Sequence, residues 1–281
     1  MSARSRWNER AAVTDSWGIT LRRVANINIT PAVRDRLISI LSPFVLLASW
    51  EACAVGGLLD TRFFPAPSTV FSTLVKLIET GVLWDNTWAS MTRLFWGFLL
   101  GAIPALAVGI AMGLYRPLRA AIDPLIALTY PIPKSAILPL LLLIFGLGEA
   151  SKIVMVAIGV FYPICINAVA GVLEINKIYL DVGKNFQASR WNVFRTIALP
   201  GALPFIMSGV KLGIGMGLIL IVLAEMVGAK SGLGYMIWHA WEILAVEMMY
   251  IGLMTVAVIG YALSVLSNEL ERWILPWKVD R

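Results

Sequence analysis

One histidine and two cysteines are all that 281 residues offer for metal or thiol chemistry. A single imidazole makes no metal site, and His239, beside Trp238 and Trp241, reads as an interfacial ring. Cys53 and Cys165 each lie inside an apolar run, in no metal spacing and no disulfide framework, and are expected to be buried small hydrophobes. Charge is scarce as well. Only 14% of the residues are charged while 59% are hydrophobic, against about 25% and about 45–50% in soluble domains. That balance excludes an ordinary soluble globular domain. No His, Cys or Asp constellation lies within the apolar runs, which argues against a membrane enzyme. A phosphate-binding loop is missing too. Lys230 and Ser231 would need glycine at 229 and 224, where Ala229 and Ala224 stand. The chain itself is therefore expected to bind no ATP.

What is present is apolar length. About 20 apolar residues cross a hydrocarbon core of about 30 Å, and six stretches qualify: 37–58, 88–114, 121–145, 153–172, 201–227 and 249–270. The expectation is an all-α polytopic membrane protein with about six transmembrane helices, preceded by a cytoplasmic extension over 1–36. The extension carries arginines and runs into a stretch long enough to span, so it does not read as a cleavable signal. The third stretch is the weakest as a straight helix. Pro131, Pro133 and Pro139 each remove a backbone donor there, and the freed carbonyls need partners from neighbouring helices or a wet cavity.

The net charge of +6 is not a nucleic-acid footprint, because the basic residues cluster between the apolar runs. With the N-terminus inside, sixteen Lys and Arg fall in inner segments and four, Arg62, Lys76, Lys152 and Lys230, in outer ones. The bias puts both termini in the cytoplasm. Small residues recur at helical spacing: Gly209, Gly213 and Gly217 in the fifth stretch, Gly97 with Gly101 and Gly109 with Gly113 in the second. They predict closely packed helices.

The inner segment 173–200 has 28 residues, too many for a simple turn. Ile178, Leu180, Val182 and Phe186, then Trp191, Val193 and Phe194, alternate with polar residues. That pattern predicts two short amphipathic helices whose apolar faces need a partner. From Asp181 to Pro200 the text resembles the EAA loop of bacterial ABC importer permeases. Asp181, Val182 and Gly183 stand at its first three positions, and Ile197, Leu199 and Pro200 close it in register. Gln187 departs from the pattern, which has glycine there; a glutamine at positive φ costs about 1 kcal/mol. FPAPSTV at 64–70, PIPKSAILPLLLLIFGLGEASK at 131–152, FYPICINAVAGV at 161–172, LPGALPFIMSGVKLGIG at 199–215 and AEMVGAKSGLGYMI at 224–237 resemble the nitrate/sulfonate/taurine/bicarbonate branch of these permeases. The resemblance implies a type I importer permease fold with cytoplasmic coupling helices in the inner membrane. It implies a homodimeric pore, an external binding protein, and two ATPase subunits that hold ATP and Mg and dock on Asp181, Val182, Gly183, Phe186, Gln187, Ala188, Trp191, Ile197, Leu199 and Pro200.

Polar residues inside the spans are candidates for the pathway. Lys134, next to Ser135, either lines the path for an anion or bonds to carbonyls freed by the prolines. Lys211 lies about 9 Å into the fifth span, within reach of the inner interface. Glu225, near the outer end, caps the wide outer loop or gates the mouth. Asn167 is expected to donate a hydrogen bond between helices. Residues 230–248 are semi-apolar and are expected to dip back into the bundle. The rival class is an ion-coupled secondary transporter. It would show inverted repeats and a midplane carboxylate, for which Glu51 is the best offer. The inner loop favours the ATP-driven reading.

Overall fold

The computed structural model describes residues 31–277, all of whose regular elements are helical. Residues 1–30, most of the expected extension, lie outside the described residues, as do 278–281. Two compact units divide the chain after Asp60. The first contains one described helix, α1 (Pro31–Val55), whose Ile38, Leu41, Phe44 and Leu46 are all exposed. Its 25 residues extend about 37 Å at 1.5 Å each, enough to cross a bilayer.

The second unit opens with α2 (Pro67–Glu79), which has proline in its first turn, where the missing N–H costs nothing. Gly81, at φ 79°, turns the chain into α3 (Val82–Leu114). This helix starts six residues earlier than the apolar run at 88 suggested, because its first turn and a half, bearing Trp84 and Asp85, is helical outside the apolar stretch. Alongside α3 runs α6 (Glu149–Leu173). Gly97 backs onto Val156, Gly101 onto Ala157, Gly109 onto Cys165 and Ala168, and Gly113 onto Val172. A Cβ at Gly109 would lie 2.7 Å from the Ala168 Cβ and the Cys165 carbonyl oxygen, so only glycine permits this approach.

Residue numbers rise together along that seam, so α3 and α6 are parallel. The chain leaves α3 at one end of the bundle and enters α6 at the other. The segment between them must therefore cross, and it does so as a broken span. Its parts are α4 (Arg116–Thr129), a 3-10 turn (Lys134–Ile137) and α5 (Leu138–Phe145), with the two limbs bent by 87°. Pro131 and Pro133 fall in the break, and Pro139 sits in the first turn of α5, where a proline is tolerated.

Antiparallel to α6 lies α9 (Leu199–Gly228), with Gly209 on Asn167 and Ile164, Gly213 on Ile164 and Val160, and Gly217 on Val160 and Leu94. Its C-terminal end leads to α10 (Leu233–Glu242), whose Leu233, Met236 and Ala240 are buried, so residues 230–248 do dip into the bundle. Last comes α11 (Val246–Ile274), with Gly252 on Ile237 and Gly260 on Leu218. The core is the seam of α3, α6 and α9, where Ala105, Met112, Val160, Ile164, Cys165 and Ile221 are fully buried or nearly so. Among the described residues five helices are long and apolar enough to cross a membrane, and the broken pair, counted as one span, makes a sixth.

Candidate functional site

At the end of the bundle that carries residues 173–200, α7 (Lys177–Asn185) stops in a tight turn. The Phe186 N–H donates to the Val182 carbonyl at 3.0 Å and the Ala188 N–H to the Gly183 carbonyl at 2.9 Å. Gln187 between them has φ 50°. This is the position where a helix C-terminus ordinarily uses glycine, and it is where the sequence departs from the loop pattern. The Ser189 hydroxyl then accepts the Asn192 N–H at 3.2 Å and starts α8 (Arg190–Val193). Only one turn long, α8 passes through a π-helical turn (Phe194–Ala198) straight into α9. The second short helix expected from the sequence is thus the foot of the fifth span. The wide turn takes up Pro200 without breaking the rod.

Gly183 is buried under α7, and a Cβ there would meet Ile197 at 3.2 Å and Val193 at 3.3 Å. Facing outward are Ile178, Val182, Phe186 and Trp191, the last two 82% and 65% exposed. Trp191 stacks on Phe194 with ring centroids 5.3 Å apart. Asp181, Gln187 and Ala188 lie along the same elbow, while Ile197, Leu199 and Pro200 are partly covered at its root.

At the break in the third span, the Lys134 ammonium donates to the carbonyls of Thr129, Tyr130 and Ile132 at 2.9, 3.0 and 3.1 Å. It lies 4.0 Å from the centre of the Tyr162 ring. All three donors are used, on carbonyls at the proline break, of which that of Thr129 also accepts the Ile132 N–H at 3.3 Å. Since Tyr162 is about 20 Å along α6 from Glu149, the break sits near mid-height of the bundle. Ser135 is exposed beside it.

A second polar cluster closes the opposite end of the bundle, called outer from the charge bias of the sequence. Arg93 of α3 reaches the fully buried Glu225 of α9 at 2.7 Å and Glu149 of α6 at 2.8 Å, as well as the Ser231 carbonyl at 2.7 Å. Glu225 also accepts from the Ser90 hydroxyl at 2.7 Å and the Gly234 N–H at 3.0 Å. Ser90 in turn accepts the Leu233 N–H at 2.8 Å, and Asn86 accepts that of Gly232 at 2.8 Å. Glu225 and Ser90 thereby satisfy the N-terminal donors of α10, which are buried, and Arg93 balances the carboxylate. The cluster ties α3, α6, α9 and α10 together.

The family model for the binding-protein-dependent transport system inner membrane component matches residues 97–278. The chain belongs to that family. It is a permease subunit of an ABC importer, a multi-pass inner-membrane protein that does no catalysis; ATP is hydrolysed by a separate ATPase. The permease is 34% identical to the taurine transport system permease protein TauC of Escherichia coli K12, over 88% of this chain and 92% of that one. It is 32% identical to the putative aliphatic sulfonates transport permease protein SsuC of Bacillus subtilis 168, over 85% and 87%. The fold also matches an inward-facing structure of the MetNI methionine ABC transporter, with TM-score 0.60 and 20% identity, covering 72% of this chain and 98% of that one.

The permease does not gather its expected pathway residues in one place. Lys134 and Ser135 are at the break, and Glu225 is in the outer cluster. Lys211 is about 21 Å from Glu225 along α9 and forms an ion pair with Glu271 of α11. Asn167 donates to the Pro163 carbonyl of its own helix at 2.8 Å and not to a neighbour. The reason is that Gly209 faces it, bringing the α9 backbone against its Cβ and presenting no side chain. Arg93, Ser90, Glu149 and Glu271 went unselected by sequence reasoning. For Arg93 a signal existed, since an arginine inside an apolar span demands a partner. Glu149 and Glu271 border their spans, where a charge looks solvated.

Proposed function

We propose that the permease works as two identical copies and passes a small organic anion of the sulfonate class inward, powered by two ATPase subunits docked on residues 173–200. An external binding protein delivers the solute, ATP and Mg reside on the ATPase subunits, and both termini of the permease are cytoplasmic. The observation that carries this reading is the elbow. Ile178, Val182, Phe186 and Trp191 form an outward apolar surface on a hydrophilic segment, built on a rod continuous with α9. Such a surface needs a protein partner, and movement imposed on it passes directly to a span. A second copy is favoured by α4, which crosses half the membrane without one buried residue.

The sulfonate class is supported by the relatives named for taurine and aliphatic sulfonates, and by the lysine at mid-height. Because the Lys134 donors are all occupied, the residue acts on a passing anion through its field and not as a ligand, and a field in a low-dielectric path is strong. The test of docking is co-purification. Phe186→Asp or Trp191→Asp buries an unpaired charge and weakens association by several kcal/mol. Each variant is expected to insert normally and lose its ATPase on purification. Full retention of the ATPase with parental transport in both would refute the docking role.

A further inference from the structure

We propose that Pro200 is a positioning residue: it holds the turn before α9 in its wide π form and so sets the rotational phase of the apolar elbow relative to the span. This inference rests on the reading of 173–200 as the coupling segment.

From Arg190 to Gly228, α8, the π turn and α9 form one unbroken rod. In a regular α-helix the N–H of residue 200 would donate to the carbonyl of Thr196. Proline has no such donor, and its ring presses on that carbonyl. The rod relieves this by taking one more residue into the turn. The Leu199 N–H reaches back five residues to the Phe194 carbonyl. Packing covers the turn on one side, where Ala198 is fully buried and Gly183 of α7 lies against Ile197. A cleft of about 440 Å³ lies beside it, lined by Ile175, Tyr179, Thr196, Ile197, Pro200 and Trp277, among others.

One residue in a helical turn is worth about 100° of rotation and 1.5 Å of rise. Everything N-terminal to the turn carries that offset. Trp191, which stacks on Phe194 at the start of the turn, belongs to this part, and α7, which bears Ile178, Val182 and Phe186, follows it through the contact of Gly183 with Val193. Pro200 is not part of the outward apolar surface, yet it decides which way that surface faces.

The experiment uses the whole transporter, reconstituted with its ATPase and binding protein. Pro200→Ala restores the N–H, lets the turn relax to α and swings the elbow. ATP-driven uptake is expected to fall on the order of tenfold, as for loss of a docking anchor. Adding a deletion of Arg195, which is exposed, removes the surplus residue, leaves a plain α-helix in the parental phase, and restores most of the uptake. The distance between spin labels on the exposed Asn185 and Leu212, with labelled chain diluted into unlabelled, should change in Pro200→Ala and return in the double variant. Parental uptake and distance in Pro200→Ala overturn the inference. So does a folded double variant that fails to transport, and that arm decides the matter even if the single variant does not fold. If Phe186→Asp loses the ATPase in the same preparations while Pro200→Ala behaves as the parent, the docking reading stands and the phase assignment falls.

Discussion

Arg93 and Glu225 illustrate how a buried pair is held and what its loss costs. Arg93 alone inside α3 would be intolerable. It survives because Glu149 and Glu225 share its guanidinium and because Ser90 and Gly234 satisfy the remaining carboxylate bonds. Arg93→Leu strands Glu225 in the core and is expected to destabilise the permease by about 3–5 kcal/mol, whereas Arg93→Leu with Glu225→Gln, which removes the charge and keeps an acceptor for the Ser90 hydroxyl and the Gly234 N–H, recovers much of the loss. Thermal unfolding of the purified variants in one detergent reads both. A single variant as stable as the parent would show that the cluster bears no weight. At Lys134 the expectation differs, because the lysine serves both the break and the field. Lys134→Arg keeps the charge and most of the transport, while Lys134→Gln slows uptake of an anionic solute at saturating binding protein. Parental uptake in the Gln variant would confine Lys134 to its carbonyls. The residue scale is also where sequence reading falls short. Lys134 and Glu225 stood out as charges in apolar text, but the partners that give them meaning come from a helix 132 to 135 positions away, for Glu225, or from nearby backbone carbonyls, for Lys134, and composition carries no trace of such pairings.

Helices were legible in the sequence wherever glycine spacing and apolar length agreed. The seam of Gly97, Gly101, Gly109 and Gly113 faces α6 as their four-residue recurrence implies, and Gly209, Gly213 and Gly217 face it from the other side. The seam predicts a contrast between two alanine substitutions. At Gly101 a Cβ would sit 2.9 Å from the Ala157 Cα, so backbone must shift, and Gly101→Ala is expected to cost about 1–3 kcal/mol. At Gly215 a Cβ meets nothing within 4 Å, and Gly215→Ala is expected to be neutral or slightly stabilising. Equal effects on unfolding temperature would contradict the close-packed seam. The elbow was half legible. Its apolar alternation announced α7, and the loop pattern marked Gln187 as a glycine position. The merger of α8 with α9 escaped, because a proline near a helix start ordinarily reads as a boundary. Gln187→Gly should tighten the turn by about 1 kcal/mol, seen as slower amide exchange over 183–188.

The whole molecule was the most legible scale. Six crossings follow from apolar length, and the parallel packing of α3 and α6 requires the broken segment to count as one of them. Orientation comes from charge alone and has its own check. Cysteines at the exposed Asp85 and Lys230 should label from outside and those at Asn185 and Asn192 only from inside, whereas outside labelling of Asn192 would reverse the topology. Above all, ATP hydrolysed by a separate ATPase docked on the elbow is expected to drive inward transport through this chain. The direct measurement is uptake of the labelled solute that its binding protein delivers, by liposomes holding the permease and its ATPase, with binding protein outside and ATP inside. Uptake is predicted to require hydrolysable ATP, to persist when ionophores collapse proton and sodium gradients, and to vanish with Phe186→Asp. Uptake that continues without ATP and stops when an ion gradient is dissipated would contradict the account and make the chain a secondary transporter.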